Sequence, residues 1–138
     1  MVGMINSIHL ARWVEHLYKF KKVKIYLFPV FPVKAHPKLQ KIISNNQNTS
    51  NIKLIKFIGW EKLNNLFFKV LNFFFKDYFS IKWLNYNINK LKPKYIHSHE
   101  LTTASTLCLK SRLLYNKKFP KWIVTNWGSE LVWLFKKK

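Results

Sequence analysis

Three short polar runs carry the residue types that could do chemistry. They are Asn6-Ser7-x-His9, His97-Ser98-His99-Glu100 and Asn126-Trp127-Gly128-Ser129-Glu130. Each follows an apolar segment that reads as a strand. The chain has only five acidic residues, and Glu100 and Glu130 lie in two of these runs. A carboxylate at a strand end can orient or deprotonate a hydroxyl, which makes both residues candidate catalytic groups. Gly128 and Ser129 would present backbone N–H groups to an oxyanion or a sugar, as strand-to-helix turns do. Asn6, Ser7, His9, His97, His99, Asn126 and Trp127 are candidate binding residues. Trp127 could stack on a sugar or a base.

Plain structural roles compete with these readings. Ser7 is as good a helix cap as a ligand contact. His9, one turn into a helix, suits a surface or packing histidine equally well. His97 and His99 alternate along a strand and so share a face. With Glu100 they make only a weak metal signal, because no distant third ligand accompanies them. No metal or other cofactor is therefore expected. Trp127 could simply fill the core, and Cys108 reads as inert packing. There is no GxGxxG after the first strand, no P-loop, no GxSxG elbow and no CxxC, so the dinucleotide fingerprint is missing.

The elements that would hold these runs follow from periodicity. Met1–Ile5 reads as the tail of a first strand. Asn6-Ser7 then caps a helix over Ile8–Phe20, with Leu10, Trp13, Val14 and Leu17 on its buried face. Glu15 and Lys19 are spaced as a surface pair. Val23–Phe28 is a second strand, and the unit is βαβ, which implies a parallel sheet. Pro29–Pro37 is an extended connection, Leu39–Ile43 a short helix, and Ser44–Asn51 a polar surface loop. Ile52–Ile58 is a third strand. Ser80 caps a helix running to Leu91, with Ile81, Leu84, Ile88 and Leu91 inward, and Pro93 enforces its end. Tyr95–His99 is the fourth strand. Thr102–Tyr115 is a helix with Ala104, Leu107, Cys108 and Leu114 apolar, and Trp122–Thr125 is a short buried strand. The expected fold is α/β: a Rossmann-like doubly wound parallel sheet of about five strands with helices on both faces. In such a sheet the ligand sits outside the carboxyl ends of the strands, where all three polar runs fall.

The chain has 138 residues and a formal net charge of +20. That length bounds it to one domain with a single core. The charge is nearly all lysine, the only arginines being Arg12 and Arg112. Nucleic-acid readers lean on arginine for bidentate contacts, so nucleic acid is not the favoured partner. An anionic membrane surface or a phosphorylated ligand suits the charge better. One cysteine excludes an intrachain disulfide and fits a reducing compartment. Neither a signal peptide nor a transmembrane run is visible. Glu61–Lys76 forms an amphipathic helix with Phe68, Phe73 and Phe75 off its main apolar stripe, near Lys62, Lys69 and Lys76. Two readings stay open for it: a second packing surface, or a face that docks on an anionic membrane.

Three stretches resemble the N-terminal half of GT-B glycosyltransferases of family 4. They are Ser7-Ile-His-Leu-Ala-Arg-Trp-Val-Glu-His-Leu, Lys92-Pro-Lys-Tyr-Ile-His-Ser-His-Glu and Lys121-Trp-Ile-Val-Thr-Asn-Trp-Gly-Ser-Glu. They occur in the family's order and bracket nearly the whole chain. The resemblance implies a Rossmann-like domain that binds the acceptor, a glycan or a lipid-linked sugar, on one side of a cleft. It implies that a second domain, not encoded here, holds the nucleotide-sugar donor. It further implies retention of anomeric configuration without a metal. The basic aromatic helix Glu61–Lys76 would then hold a cytoplasmic protein at the inner face of the plasma membrane, where lipid-linked acceptors are. Lys94, Trp127 and Glu130 depart from the family's pattern, which has an acid, a histidine in many members and an aspartate there. On this reading the chain is an acceptor-side domain truncated at both ends and inactive alone. The alternatives are a basic nucleic-acid-binding module and a nonfunctional gene remnant.

Overall fold

The computed structural model describes residues 1–20, 22–31, 33–45, 51–56, 70 and 77–126. The predicted Glu61–Lys76 helix, Val70 apart, and residues Trp127–Glu130 lie outside the described residues. The elements run β1 (Val2–Gly3), α1 (Ile8–Tyr18), β2 (Ile25–Pro29), α2 (Pro37–Asn45), β3 (Ile52–Leu54), α3 (Tyr78–Leu91), β4 (Tyr95–His99), α4 (Ala104–Leu113) and β5 (Lys121–Thr125). The strands form one sheet in the order β3-β2-β1-β4-β5, and every pairing is parallel. The chain starts at the middle strand, winds outward through β2 and β3, then returns to the other side of β1. The fold is α/β and Rossmann-like, and the direction of winding reverses between β1 and β4.

Side-chain alternation along the strands separates two cores. Ile25, Leu27 and Ile52 meet Leu10, Ala11 and Val14 of α1 and Leu39 of α2 on one face. Val2, Phe28 and Ile96 meet Ile81, Leu84 and Ile88 of α3 and Leu107 and Cys108 of α4 on the other. Helices therefore cover both faces, and the central strands carry the near-continuous apolar runs that such burial requires. Pro37 opens α2, where its missing N–H costs nothing. Lys92 closes α3 in a left-handed conformation just before Pro93.

Several expectations need correction. Ser80 does not cap α3: Asp77 is the capping residue, without a side-chain bond, and Ser80 is buried in the first turn. Glu15 pairs with Lys38 at 2.7 Å rather than with Lys19, because α2 lies against α1 and offers a nearer ammonium. Strand β5 is not buried. Among the described residues it pairs with β4 alone, and Ile123 and Val124 are exposed. Leu114 lies past the end of α4 and is exposed. Trp13 is 41% exposed, and its ring turns toward the sheet's histidines instead of the core.

Gly3 fixes how closely α1 approaches the sheet. A Cβ there would sit 3.3 Å from the Cβ of His99 and 3.4 Å from a Leu10 methyl. Both neighbours are buried and have little room to yield. Gly3→Ala is expected to cost about 1 kcal/mol of stability, as overpacking does. Urea denaturation measures it; an unchanged midpoint would show that α1 can give way.

Candidate functional site

Because β1, β4 and β5 are adjacent and parallel, their carboxyl ends share one edge of the sheet. The turn after β4 is tied to the end of β5 by Glu100 N–H donating to the Thr125 carbonyl at 2.8 Å. At this edge Ser7 accepts a hydrogen bond from His9 N–H at 3.2 Å and caps α1, the more ordinary of its two expected roles. Asn6 is exposed beside it.

His97 and His99 point to the α1 face, as strand alternation predicts. Their rings are 4.1 Å apart, and Trp13 meets both edge-on at 5.4 and 5.5 Å. His97 Nε2 bonds Thr125 Oγ1 at 2.6 Å. Burial lowers its pKa. His99 is wholly buried, and among the described residues neither ring nitrogen has a hydrogen-bond partner. Burial, then the neighbouring His97, push its pKa down to about 3, so the ring is neutral. On the opposite face Ser98 Oγ bonds Ser105 Oγ and accepts from Trp122 Nε1, both at 2.9 Å. That hydroxyl is committed to holding β4, β5 and α4 together.

Glu100 has a heavily used carboxylate. It accepts from Thr102 Oγ1 and Thr103 Oγ1, from Thr103 N–H at 2.5 Å and from Ala104 N–H at 3.4 Å. Burial pushes its pKa up, but these bonds outweigh it and hold the carboxyl below the usual range. Thr103, the capping residue of α4, makes no side-chain cap bond, so Glu100 supplies the acceptor for the free N–H groups. The run Glu100-x-Thr-Thr ahead of an apolar helix is the sequence mark of this role. Cys108 is buried, and burial raises its thiol to about 12, which leaves it inert.

An open depression of about 610 Å³ lies between α1 and the end of β5, lined by His9, Arg12, Trp13, His16, Thr125 and Asn126. Of the candidate residues, His9 and Asn126 line it. His97 and His99 lie behind Trp13. Asn6 and Ser7 share the edge but do not line it, and the Glu100 carboxylate is turned onto α4. Trp127, Gly128, Ser129 and Glu130 fall outside the described residues. Sequence reasoning passed over Arg12, Trp13, His16 and Thr125. Positions 9, 12, 13 and 16 form one helix stripe, so extending from His9 by three, four and seven residues would have found three of them.

The depression offers an exposed indole for the apolar face of a ring, a guanidinium fork, and a hydroxyl and an amide for polar recognition. Among the described residues no three metal-ligating side chains converge. Among them, too, no helix is long and apolar enough to cross a membrane.

Fold and edge together make this a Rossmann-like α/β domain with a polar depression at the carboxyl ends of its strands. No protein-family model, no curated protein and no solved structure matches the chain.

Proposed function

We propose that the chain is the acceptor-binding domain of a glycosyltransferase that uses a nucleotide-sugar donor. One observation carries the reading: the carboxyl ends of β1, β4 and β5 meet beside the β1–β4 reversal, next to an open depression with an exposed tryptophan. A sugar acceptor, as a glycan or a lipid-linked saccharide, stacks on Trp13 and is oriented by Arg12, His9, Thr125 and Asn126. In this reading Glu130 is the group assigned to the acceptor hydroxyl, and backbone N–H groups of Asn6, Gly128 and Ser129 are assigned to the charge that develops on the leaving diphosphate. The Ser7 N–H is not among them, because it donates to the Met4 carbonyl at 3.0 Å. Glu100 serves this site by holding the turn after β4 in place, and can act as a base only if its helix-capping bonds open. The donor belongs to a second domain, so this chain alone is expected to bind acceptor without turnover. The proposed setting is cytoplasmic, at the inner face of the plasma membrane.

The test is a titration of the isotope-labelled chain with a panel of mono- and oligosaccharides, followed by amide and indole resonances. Saturable shifts at Trp13, Thr125 and Asn126, reduced at least about tenfold in affinity by Trp13→Ala, are expected, since a stacked ring contributes beyond its area. Absence of any saccharide response, with salt-sensitive binding to random-sequence DNA, would replace this reading with a nucleic-acid-binding one.

A further inference from the structure

The opposite edge of the sheet carries a second feature, independent of the acceptor reading. Where α3 leads into β4 and α4 leads into β5, a depression of about 550 Å³ is lined by Lys92, Lys94, Lys117, Lys118 and Lys121. We propose that this amino-terminal edge binds a soluble oligophosphate, held by the five ammonium groups.

Like charges gathered around one concavity repel, and the arrangement is unfavourable until a counter-charge enters. No described carboxylate lines the depression. Glu15 pairs with Lys38, Asp77 pairs with Lys110, and Glu100 caps α4. A helix dipole explains Lys92, which closes α3. It does not explain Lys117, Lys118 and Lys121. These follow the end of α4 at Leu113 by four, five and eight residues, more than one helical turn, over which the dipole effect falls off.

The walls are preorganised. Pro93 sits between Lys92 and Lys94, and Pro120 directly precedes Lys121, so both lysine-bearing loops have restricted backbones. The Tyr115 hydroxyl donates to Asn89 Oδ1 at 2.9 Å, and its ring packs edge-on against Phe119 at 5.7 Å. That joins the end of α3 to the loop that carries Lys117 and Lys118. Lysine ammoniums bind phosphate as point charges and need no planar partner, which fits five lysines supplied by two separate loops, with Lys94 Nζ 5.5 Å from the Tyr95 ring centroid. A stiff concavity of this size suits a discrete multivalent ion better than a flat bilayer surface.

The test is calorimetric titration with inorganic tripolyphosphate of the full chain, of K117Q/K118Q/K121Q, and of K34Q/K41Q/K56Q. The second triple removes the same charge from exposed lysines near the β3 side. Saturable binding at one ion per chain is expected, weakened about tenfold by the first triple and less than about twofold by the second. Equal weakening by both triples would reduce the effect to overall charge and overturn the proposal. So would the lack of a saturable isotherm. Phosphatidylglycerol vesicles are the second arm: binding to vesicles that the first triple abolishes, without tripolyphosphate binding, would overturn the soluble ligand in favour of a lipid headgroup.

Discussion

Glu100→Ala is expected to lower stability by about 3 kcal/mol, from the loss of a helix cap together with charge-assisted bonds inside the protein. The residue is only 2% exposed, and its carboxylate answers two hydroxyls and two N–H groups at the start of α4. Its main chain is used as well: N–H donates to Thr125, and the carbonyl accepts from Ser105 N–H at 3.1 Å and Ser105 Oγ at 2.7 Å. Its φ of 96° is one that only glycine adopts without strain. The four bonds made by the carboxylate oppose that backbone cost. Glu100→Gly, which relieves φ while removing the carboxylate, should therefore be about 1 kcal/mol less damaging than Glu100→Ala. The bonds that hold the carboxyl below its usual pKa stabilise the fold at pH above about 4.5, and that contribution is lost as pH falls through the folded value. The gap between wild type and Glu100→Ala should accordingly close on acidification. Urea denaturation at pH 7 and pH 3 tests both statements. An alanine variant within about 0.5 kcal/mol of wild type at pH 7 would show that the turn after β4 stands without this cap.

The architecture was legible because apolar period and turn residues agreed over most elements. Pro93 at the end of α3 and the alternation of Tyr95–His99 each carried local information that packing did not override. Pro37, by contrast, read as part of the extended connection, in fact opens α2, which runs on to Asn45. The misreadings share a cause: they concern what lies next to an element, which the sequence does not state. Trp122–Thr125 is apolar enough for a central strand, but a strand's neighbours decide its burial, and among the described residues β5 has only β4. Trp13 fits the buried stripe of α1, yet Gly3 brings α1 close to the sheet, and the indole turns to the two histidines instead. Glu15 has a local partner at Lys19 and uses a distant one at Lys38. The candidate site divides in the same way. The strand-end clusters were readable as runs. The depression was not, since Arg12 and His16 of α1 meet Thr125 and Asn126 only through the order in which the sheet winds.

His99→Leu is expected to stabilise the protein, by about 1–2 kcal/mol at pH 8. A buried polar group without a partner costs free energy that an apolar group of similar size does not. His99 fits that description beneath Trp13, with both ring nitrogens unpartnered among the described residues. The advantage should grow in acid. With its pKa at about 3 in the fold and an ordinary value of 6.5, His99 stays neutral in the native state while the unfolded chain takes up a proton. Native stability then falls as pH drops below about 6.5, by about 2 kcal/mol at pH 5. His97 is shifted the same way by burial and remains in the variant, so some acid sensitivity persists. The measurement is urea denaturation of both proteins at pH 8 and pH 5. If the proposed acceptor site is right, His99, packed beneath Trp13, helps to set the indole's position, so His99→Leu should also weaken the saccharide response of Trp13 while the fold gains. If instead the leucine variant is less stable at both pH values, the imidazole nitrogens have partners in solution. His99 would then be a satisfied core histidine, and Trp13 and the residues in front of it would carry the site alone.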